Sequence, residues 1–281
     1  MADQKRKLGA DGALLRLLEL RRREIFDKNG KPGKYRHIVV DEVQDFSAVE
    51  LACVIGAVDQ AVNLTLVGDT AQKVDDTTAF PGWEKLQEHW QYKDTMSKYI
   101  SLTVSHRSTL PIMRLADFVQ QRKTVTDGRS GRVPIWFKCN TESKGIRAVI
   151  GWLEKALERF PGALTAVLCH TAEEAKHAHS LLVPSFGNIV RLGNDNDFSF
   201  EEGIIVTDVK QVKGLEFLNV LIWNPSNRAY PNQPYSRNLM YVAITRAEEN
   251  LCLVTWKKPS AMLPHVHSKL VRGIDMSIDE I

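Results

Sequence analysis

Cysteine is scarce in this sequence: Cys53, Cys139, Cys169 and Cys252 lie far apart and form no Cys-x-x-Cys pair. The spacing gives no zinc or dithiol redox motif, and apolar surroundings such as TAVLCH and NLCLVTW suit buried, reduced thiols. Long hydrophobic runs are also missing. No stretch approaches the roughly 18 consecutive apolar residues of a membrane-spanning helix, and the start, MADQKRKLGA, lacks the apolar centre of a secretory leader. A reducing cytoplasm is the expected address, with no membrane partner. Internal repeats, low-complexity tracts and sustained heptads are absent as well. Nor does one sign of charge dominate, with 37 Lys and Arg against 34 Asp and Glu. Residues 1–36 hold 11 basic against 5 acidic side chains, leaving 26 against 29 in the remainder. A chain-wide field for nucleic acid is thereby excluded, and one basic segment remains.

What is present is ordinary globular material, 281 residues with 43% hydrophobic and 25% charged side chains, enough for roughly two domains. Leu14, Leu15, Leu17, Leu18, Leu20, Ile25 and Phe26 predict an amphipathic helix whose outer face carries Arg21, Arg22 and Arg23. Short apolar runs then alternate with helical patterns. HIVVDE and LTLVGD read as buried strands on either side of the helix SAVELACVIGAV, and a looser stretch covers about residues 75–98. The alternation resumes with SLTVSHR and the helix LPIMRLADFVQQ. It continues through VPIWFKCN, LTAVLCH, NIVRLG, GIIVTDV and NVLIWN to the helix SRNLMYVAITRAEEN and a last strand, LCLVTW. Such alternation predicts an α/β fold built on parallel sheets, with a first lobe over residues 1–98 and a second over 99–281.

Chemistry-bearing residues cluster behind the first two strands. Asp41 and Glu42 follow the apolar run Ile38-Val39-Val40, at the carboxyl end of a strand where open α/β sheets present ligands. One carboxylate there can hold Mg2+ while its neighbour takes a proton from water. Gln44 and Asp45 follow closely, and Gly68, Asp69 and Gln72 close the second strand, so the two strand ends form a patterned pair. The Gln72 amide suits sensing a terminal phosphate or placing a water. The second half adds Arg107 in SHRST, the run KGLEF with Gly214 and Glu216, and Arg246 in YVAITRA. Arg246 reads either as a structural arginine or, with Arg107, as a finger stabilising charge on a transferring phosphoryl group.

VVDEVQDFS, LVGDTAQ, LTVSHRS, VKGLEF and LMYVAITRAEENL resemble, in order and spacing, motifs II to VI of the UvrD/Rep-like superfamily 1 helicases. The resemblance runs from about Leu14 to Val254. It implies RecA-like lobes of the P-loop NTPase type, the first represented by its rear part and the second whole. It further implies ATP-driven 3′-to-5′ movement on single-stranded DNA, with lobes that close on ATP. On that basis Asp41 coordinates Mg2+, Glu42 is the general base and Gln72 senses the γ-phosphate. Arg107 and Arg246 are the arginine fingers, while Asp69, Gly214 and Glu216 contact the nucleotide.

The sequence also departs from the family. No GxxxxGK[ST] loop occurs; the pairs Gly30-Lys31 and Gly33-Lys34 are followed by Pro and Tyr. The expectation is a helicase whose front portion was removed, lost or is supplied by a partner chain, and which hydrolyses no ATP alone. The DNA-facing positions match less well than the nucleotide-facing ones. Asp208 and Lys210 stand where the family has the Thr and His that touch single strands, and Phe80 and Trp83 read as core aromatics before stacking rings. Two alternatives therefore stand beside the motor: a non-catalytic scaffold or split-motor half, and a fragment of an RNA-polymerase-associated remodelling ATPase.

Overall fold

A computed structural model of the chain describes residues 34–60, 63–73, 80, 82–89, 98–102, 105–123, 127–194 and 198–276. The basic helix expected over residues 14–26 and the first Gly-Lys pair lie outside them. The chain divides into two compact units, residues 1–101 and 102–281.

In the first unit, β1 (Ile38–Val40) and β2 (Leu64–Leu66) pair in parallel, with Val39 opposite Thr65. The helix between them, α1 (Ala48–Ala57), starts at a capping box: the Ser47 hydroxyl accepts from the Glu50 backbone N–H, and the Glu50 carboxylate accepts from that of Ser47. Val40, Val43, Leu51 and Leu86 form the core, with Phe46, Phe80 and Trp83 packed on it. Phe80 and Trp83 meet edge to face with centroids 5.7 Å apart, an arrangement that serves packing. A second helix, α2 (Trp83–His89), occupies part of the stretch read as loose. Trp83 and Leu86, three apart, share its inward face.

The second unit is built on a seven-stranded, wholly parallel sheet. Its strands are β3 (Ile135–Cys139), β4 (Leu164–Cys169), β5 (Val190–Leu192), β6 (Gly203–Asp208), β7 (Phe217–Trp223), β8 (Ala247–Thr255) and β9 (Arg272–Met276). Their order is β5-β6-β4-β7-β8-β3-β9, a parallel α/β sheet as expected. Every residue of β6 is buried, as in a sheet covered on both faces. The helices are α3 (Leu110–Gln120), α4 (Glu142–Arg159), α5 (Ala172–Phe186) and α6 (Pro234–Thr245). Thr141 and Thr171 cap α4 and α5 with their hydroxyls. α4 and α5 contribute Val149, Leu153, Ala178 and Leu182 to one core with Val167, Leu221, Trp223 and Trp256. The four cysteines are free thiols; Cys139, Cys169 and Cys252 are buried and Cys53 is half-buried.

Two amides, buried Asn219 and half-buried Asn250, cross the middle of the sheet. Asn250 on β8 donates to Asn219 Oδ1 on β7 at 2.8 Å, and Asn219 donates to Thr165 Oγ1 on β4 at 3.2 Å.

Three elements differ from the sequence reading. The helix expected to run through SRNLMYVAITRAEEN stops at Thr245, and RAEEN turns into β8. Pairing decides this, because Ala247 lies in register with Phe217 of β7. The described part of SLTVSHR forms no strand; Ser108, which follows it, donates its N–H back to Ser105 Oγ at 3.3 Å. Finally, RGIDM forms β9 beside β3; with one Ile and one Met it carries little hydrophobic signal.

Candidate nucleotide-handling site

The carboxyl ends of β1 and β2 carry the first cluster. Asp41 is exposed, and its Oδ1 accepts from Glu42 N–H at 2.8 Å. Glu42 adopts a left-handed backbone, φ 52 and ψ 40, which costs a non-glycine residue about 1–3 kcal/mol and recurs at functional sites. Val43 N–H reaches Val67 O at 3.0 Å, so the turn after β1 is pinned to the end of β2.

Gln44 joins the two motifs. Fully buried, it donates through Nε2 to Glu42 Oε2 and accepts from Asp69 N–H at 3.1 Å through Oε1. Asp69 in turn accepts from Ala71 N–H at 3.0 Å and from Gln72 Nε2 at 3.3 Å. Glu42, Gln44, Asp69 and Gln72 are therefore one hydrogen-bonded chain. Gly68 makes this possible, since a Cβ there would lie 2.3 Å from Gln44 Oε1. Sequence reasoning assigned no role to Gln44. Its signal was an amide next to Val43 in a strand-end turn, a polar group that burial obliges to find partners.

The second cluster lies at the amino ends of β7 and β8. Arg107 and Glu216 form an ion pair, Nε to Oε1 2.5 Å, with half of the Arg107 side chain exposed. Glu216 immediately precedes β7. Gly214, two residues earlier, has φ +79 and nothing within 4 Å of a Cβ position; glycine there serves the backbone, because the left-handed region strains other residues. Arg246 immediately precedes β8 and is 1% exposed. Its Nη1 donates to Leu215 O at 3.0 Å and its Nε to Val242 O at 3.3 Å. The guanidinium thus holds the KGLEF loop against the end of α6. Arg129, which no motif signalled, donates to Arg107 O at 2.6 Å and to Glu248 O at 2.9 Å, and pairs with Glu249.

Asp208 and Lys210 lie elsewhere, Asp208 as the last residue of β6 and Lys210 in the turn that follows. Asp208 Oδ1 accepts from Lys210 N–H at 2.9 Å, and the Lys210 ammonium lies 5.6 Å from the centre of the Tyr235 ring. The aspartate thus closes its own turn.

A divalent ion is accommodated by the first cluster only in part. Asp41 offers an exposed carboxylate oxygen, and Mg2+ is commonly held by one or two carboxylates with substrate phosphates and waters. Among the described residues no group of three or more His, Cys, Asp or Glu side chains gathers to hold a metal. No helix among them is long and apolar enough to cross a membrane.

Compared with known protein families, residues 203–254 match the UvrD-like helicase C-terminal domain. Curated proteins give no match. Among solved structures, the C-terminal domain of a possible DNA helicase from Lactobacillus plantarum is similar over 62% of this chain and 99% of that one, at 25% identity and TM-score 0.49. An arterivirus nonstructural protein 10, a helicase, is similar over 79% of this chain and 39% of that one, at 14% identity and TM-score 0.38. The matched stretch spans β6, the KGLEF loop, β7, α6 and most of β8, and over that stretch the chain is similar to a UvrD-like helicase C-terminal domain.

Proposed function

We propose that the chain works as part of an ATP-driven translocase on single-stranded DNA. The observation that carries this reading is the fixed chain from Glu42 through Gln44 and Asp69 to Gln72. A carboxylate held in a strained turn, linked to a second amide at a neighbouring strand end, suits activation of water beside a terminal phosphate. In this mechanism Glu42 takes the proton of the attacking water while Gln44 keeps its carboxylate aimed. Gln72 reports on the terminal phosphate, and Asp69 orients the Gln72 amide. Asp41 would hold Mg2+, which when bound supplies charge neutralisation at the phosphates. Arg107, released from Glu216, stabilises the charge that develops on the phosphoryl group.

Arg246 supports a second reading. Its guanidinium is buried and donates to two main-chain carbonyls, which suits a load carried within the second unit. A helicase-like scaffold, or a partner half that conveys no chemistry of its own, needs this arginine only for folding.

One experiment separates the two. The sequence holds no Gly-rich phosphate loop, so the chain is combined with a segment that carries one, and Mg2+-dependent ATP hydrolysis is followed with single-stranded DNA, RNA or neither. The motor reading expects turnover stimulated by DNA and abolished by Glu42→Gln. Turnover that never rises above that of the added segment would establish the scaffold; stimulation by RNA alone would assign another track.

A further inference from the structure

Between α3 and β3 the chain carries no motif, yet residues 128–131 are built against the turn that bears Arg107. Leu110 N–H, at the first residue of α3, donates to Arg129 O at 2.6 Å. It is one of the donors that a helix start leaves without an internal partner. Gly131 passes so close to Thr109 that a Cβ there would lie 2.2 Å from Thr109 Cγ2, an approach open to glycine alone. Ser108 and Thr109 are buried, whereas half of the Arg107 side chain is exposed. The turn is therefore held along its downstream side while its cation remains at the surface.

Arg129 closes this frame with its side chain. Nη2 alone donates to two main-chain carbonyls, Arg107 O at 2.6 Å and Glu248 O at 2.9 Å, and Nη1 pairs with the Glu249 carboxylate. A planar guanidinium with several fixed donors performs both tasks at once. The charge of Arg129 is matched by Glu249 within the unit, and its remaining bonds go to backbone.

The carbonyl of Glu248 is a meeting point. It accepts from Thr109 N–H at 3.2 Å as well as from Arg129. β3 pairs with β8 from Cys252 onward, so Glu248 extends past that neighbour and the Arg107 turn docks on it instead. Ser108 Oγ reaches Thr245 O at 3.5 Å. Arg246 lies between these two anchor points, and its own carbonyl accepts from Phe217 N–H at 2.9 Å, which fixes the strand that follows Glu216. Residues 245–248 thus tie together the segments bearing Arg107, Glu216 and Arg246, and Arg129 is the side chain that grips Arg107 by its main chain.

We propose that Arg129 is a positioning residue for Arg107, setting the reach of that guanidinium toward a transferring phosphoryl group. The assignment rests on the reading of Arg107 given under the proposed function. A cation stabilises developing charge only where it is placed beforehand. In the resting site the Glu216 carboxylate holds the Arg107 head. Once that pair opens, the head swings on a long side chain, and its origin is set by the main chain that Arg129 clamps to Glu248. The influence of Arg129 passes through the backbone of Arg107, without contact with the nucleotide.

The test has two readouts. In the full 281-residue chain without nucleotide, hydrogen exchange is followed at the Thr109 amide and at Arg107 Nε. Arg129→Ala should speed both by about 5-fold or more, the effect of losing a hydrogen bond from a charged donor, with amides of residues 164–169 unchanged. In the phosphate-loop-supplemented chain, release of labelled phosphate should show kcat lowered about 10-fold or more at unchanged KM for ATP, since displacing a catalytic group by about 1 Å costs up to about 10²-fold. In an Arg107→Ala background the same substitution should change kcat by less than about 2-fold, because coupled residues are not additive; a purely structural brace would cost as much in either background. Arg129→Lys, whose single ammonium can take the place of Nη2, should recover most of the loss, and a loss equal to that of alanine overturns the proposal. So do unchanged exchange, unchanged kcat in Arg129→Ala, or losses that multiply in the double variant, each of which leaves the motor reading intact. A parent without turnover refutes the motor reading and this assignment together.

Discussion

Replacing Gly68 by alanine separates the role of the Gln44 bridge from that of the fold around it. The backbone permits alanine, since Gly68 is not in the left-handed region, but the new methyl would lie 2.3 Å from Gln44 Oε1 and 2.9 Å from Val43 Cγ1. Gln44 must swing away, giving up Asp69 N–H at 3.1 Å and the Glu42 carboxylate. Because Gln44 is fully buried, neither end of its amide finds water where it stands. Two buried hydrogen bonds at about 1–3 kcal/mol each set the loss at about 2–6 kcal/mol. Alanine restricts the unfolded chain and returns about 0.4–1 kcal/mol, leaving a net loss of about 1–5 kcal/mol. Hydrogen exchange of the full chain reads this locally. Amides of residues 43–46 and 69 should exchange faster by about 5-fold or more, with residues 164–169 and 217–223 unchanged. Gly214→Ala is the control, with a cost of about 1–2 kcal/mol from backbone strain alone, confined to the second unit. Unchanged exchange at residues 43–46 in Gly68→Ala would refute the bridge as the element joining the two strand ends.

Further outcomes follow from the second unit. Arg107→Ala should leave its stability within about 1 kcal/mol, as expected for an exposed ion pair, while reducing ATP turnover of the phosphate-loop-supplemented chain by about 10³-fold or more. Arg246→Ala should lower the urea midpoint of the second unit, because Leu215 O and Val242 O lose their buried donor; an unchanged midpoint would return Arg246 to a purely catalytic role. Burial, aided by the Lys210 charge and opposed by Asp208, lowers the His170 pKa below its ordinary value of 6.5. The unfolded chain therefore takes up this proton first, so stability is full above about pH 6.5 and falls on acidification until the folded pKa is passed. His170→Asn should flatten that part of a pH-dependent urea titration. Burial raises the thiol pKa of Cys139, Cys169 and Cys252, so Cys53 should be alkylated first by iodoacetamide at neutral pH, as peptide mass mapping would show.

Where the sequence was legible, local signals agreed with tertiary demand. GIIVTD and LTAVLC are continuous apolar runs bounded by polar residues, and both are central strands of the parallel sheet. The strand ends bearing Asp41 and Asp69 could be placed for the same reason. The motif residues Arg107, Gly214, Glu216 and Arg246 could be named, but not their position at the amino ends of β7 and β8, which depends on a loop crossing the sheet without a helix. YVAITRAEEN was misread beyond Thr245 because its polar residues fit a helical period as well as a strand start; pairing with β7 decides the matter. Gln44 lies inside the motif VVDEVQDFS without a role assigned to it there, and Arg129 lies in no motif. Their importance comes from partners 25 and 22 residues away, Asp69 and Arg107, which no local pattern encodes.

The amide ladder through Asn250, Asn219 and Thr165 acts as an index mark on the sheet. A slip of β8 along β7 by one residue would turn Asn250 to the opposite face, and a slip by two would set it beside an apolar neighbour, in each case leaving the buried Asn219 amide without its mate. Glu216 lies three residues before Asn219 and Arg246 four before Asn250. The mark in the middle of the sheet therefore calibrates the stagger of the two charged residues at its rim. Swapping these amides for leucine would leave a folded sheet free to set its rim out of alignment by a residue, a fault visible in function before it shows in stability.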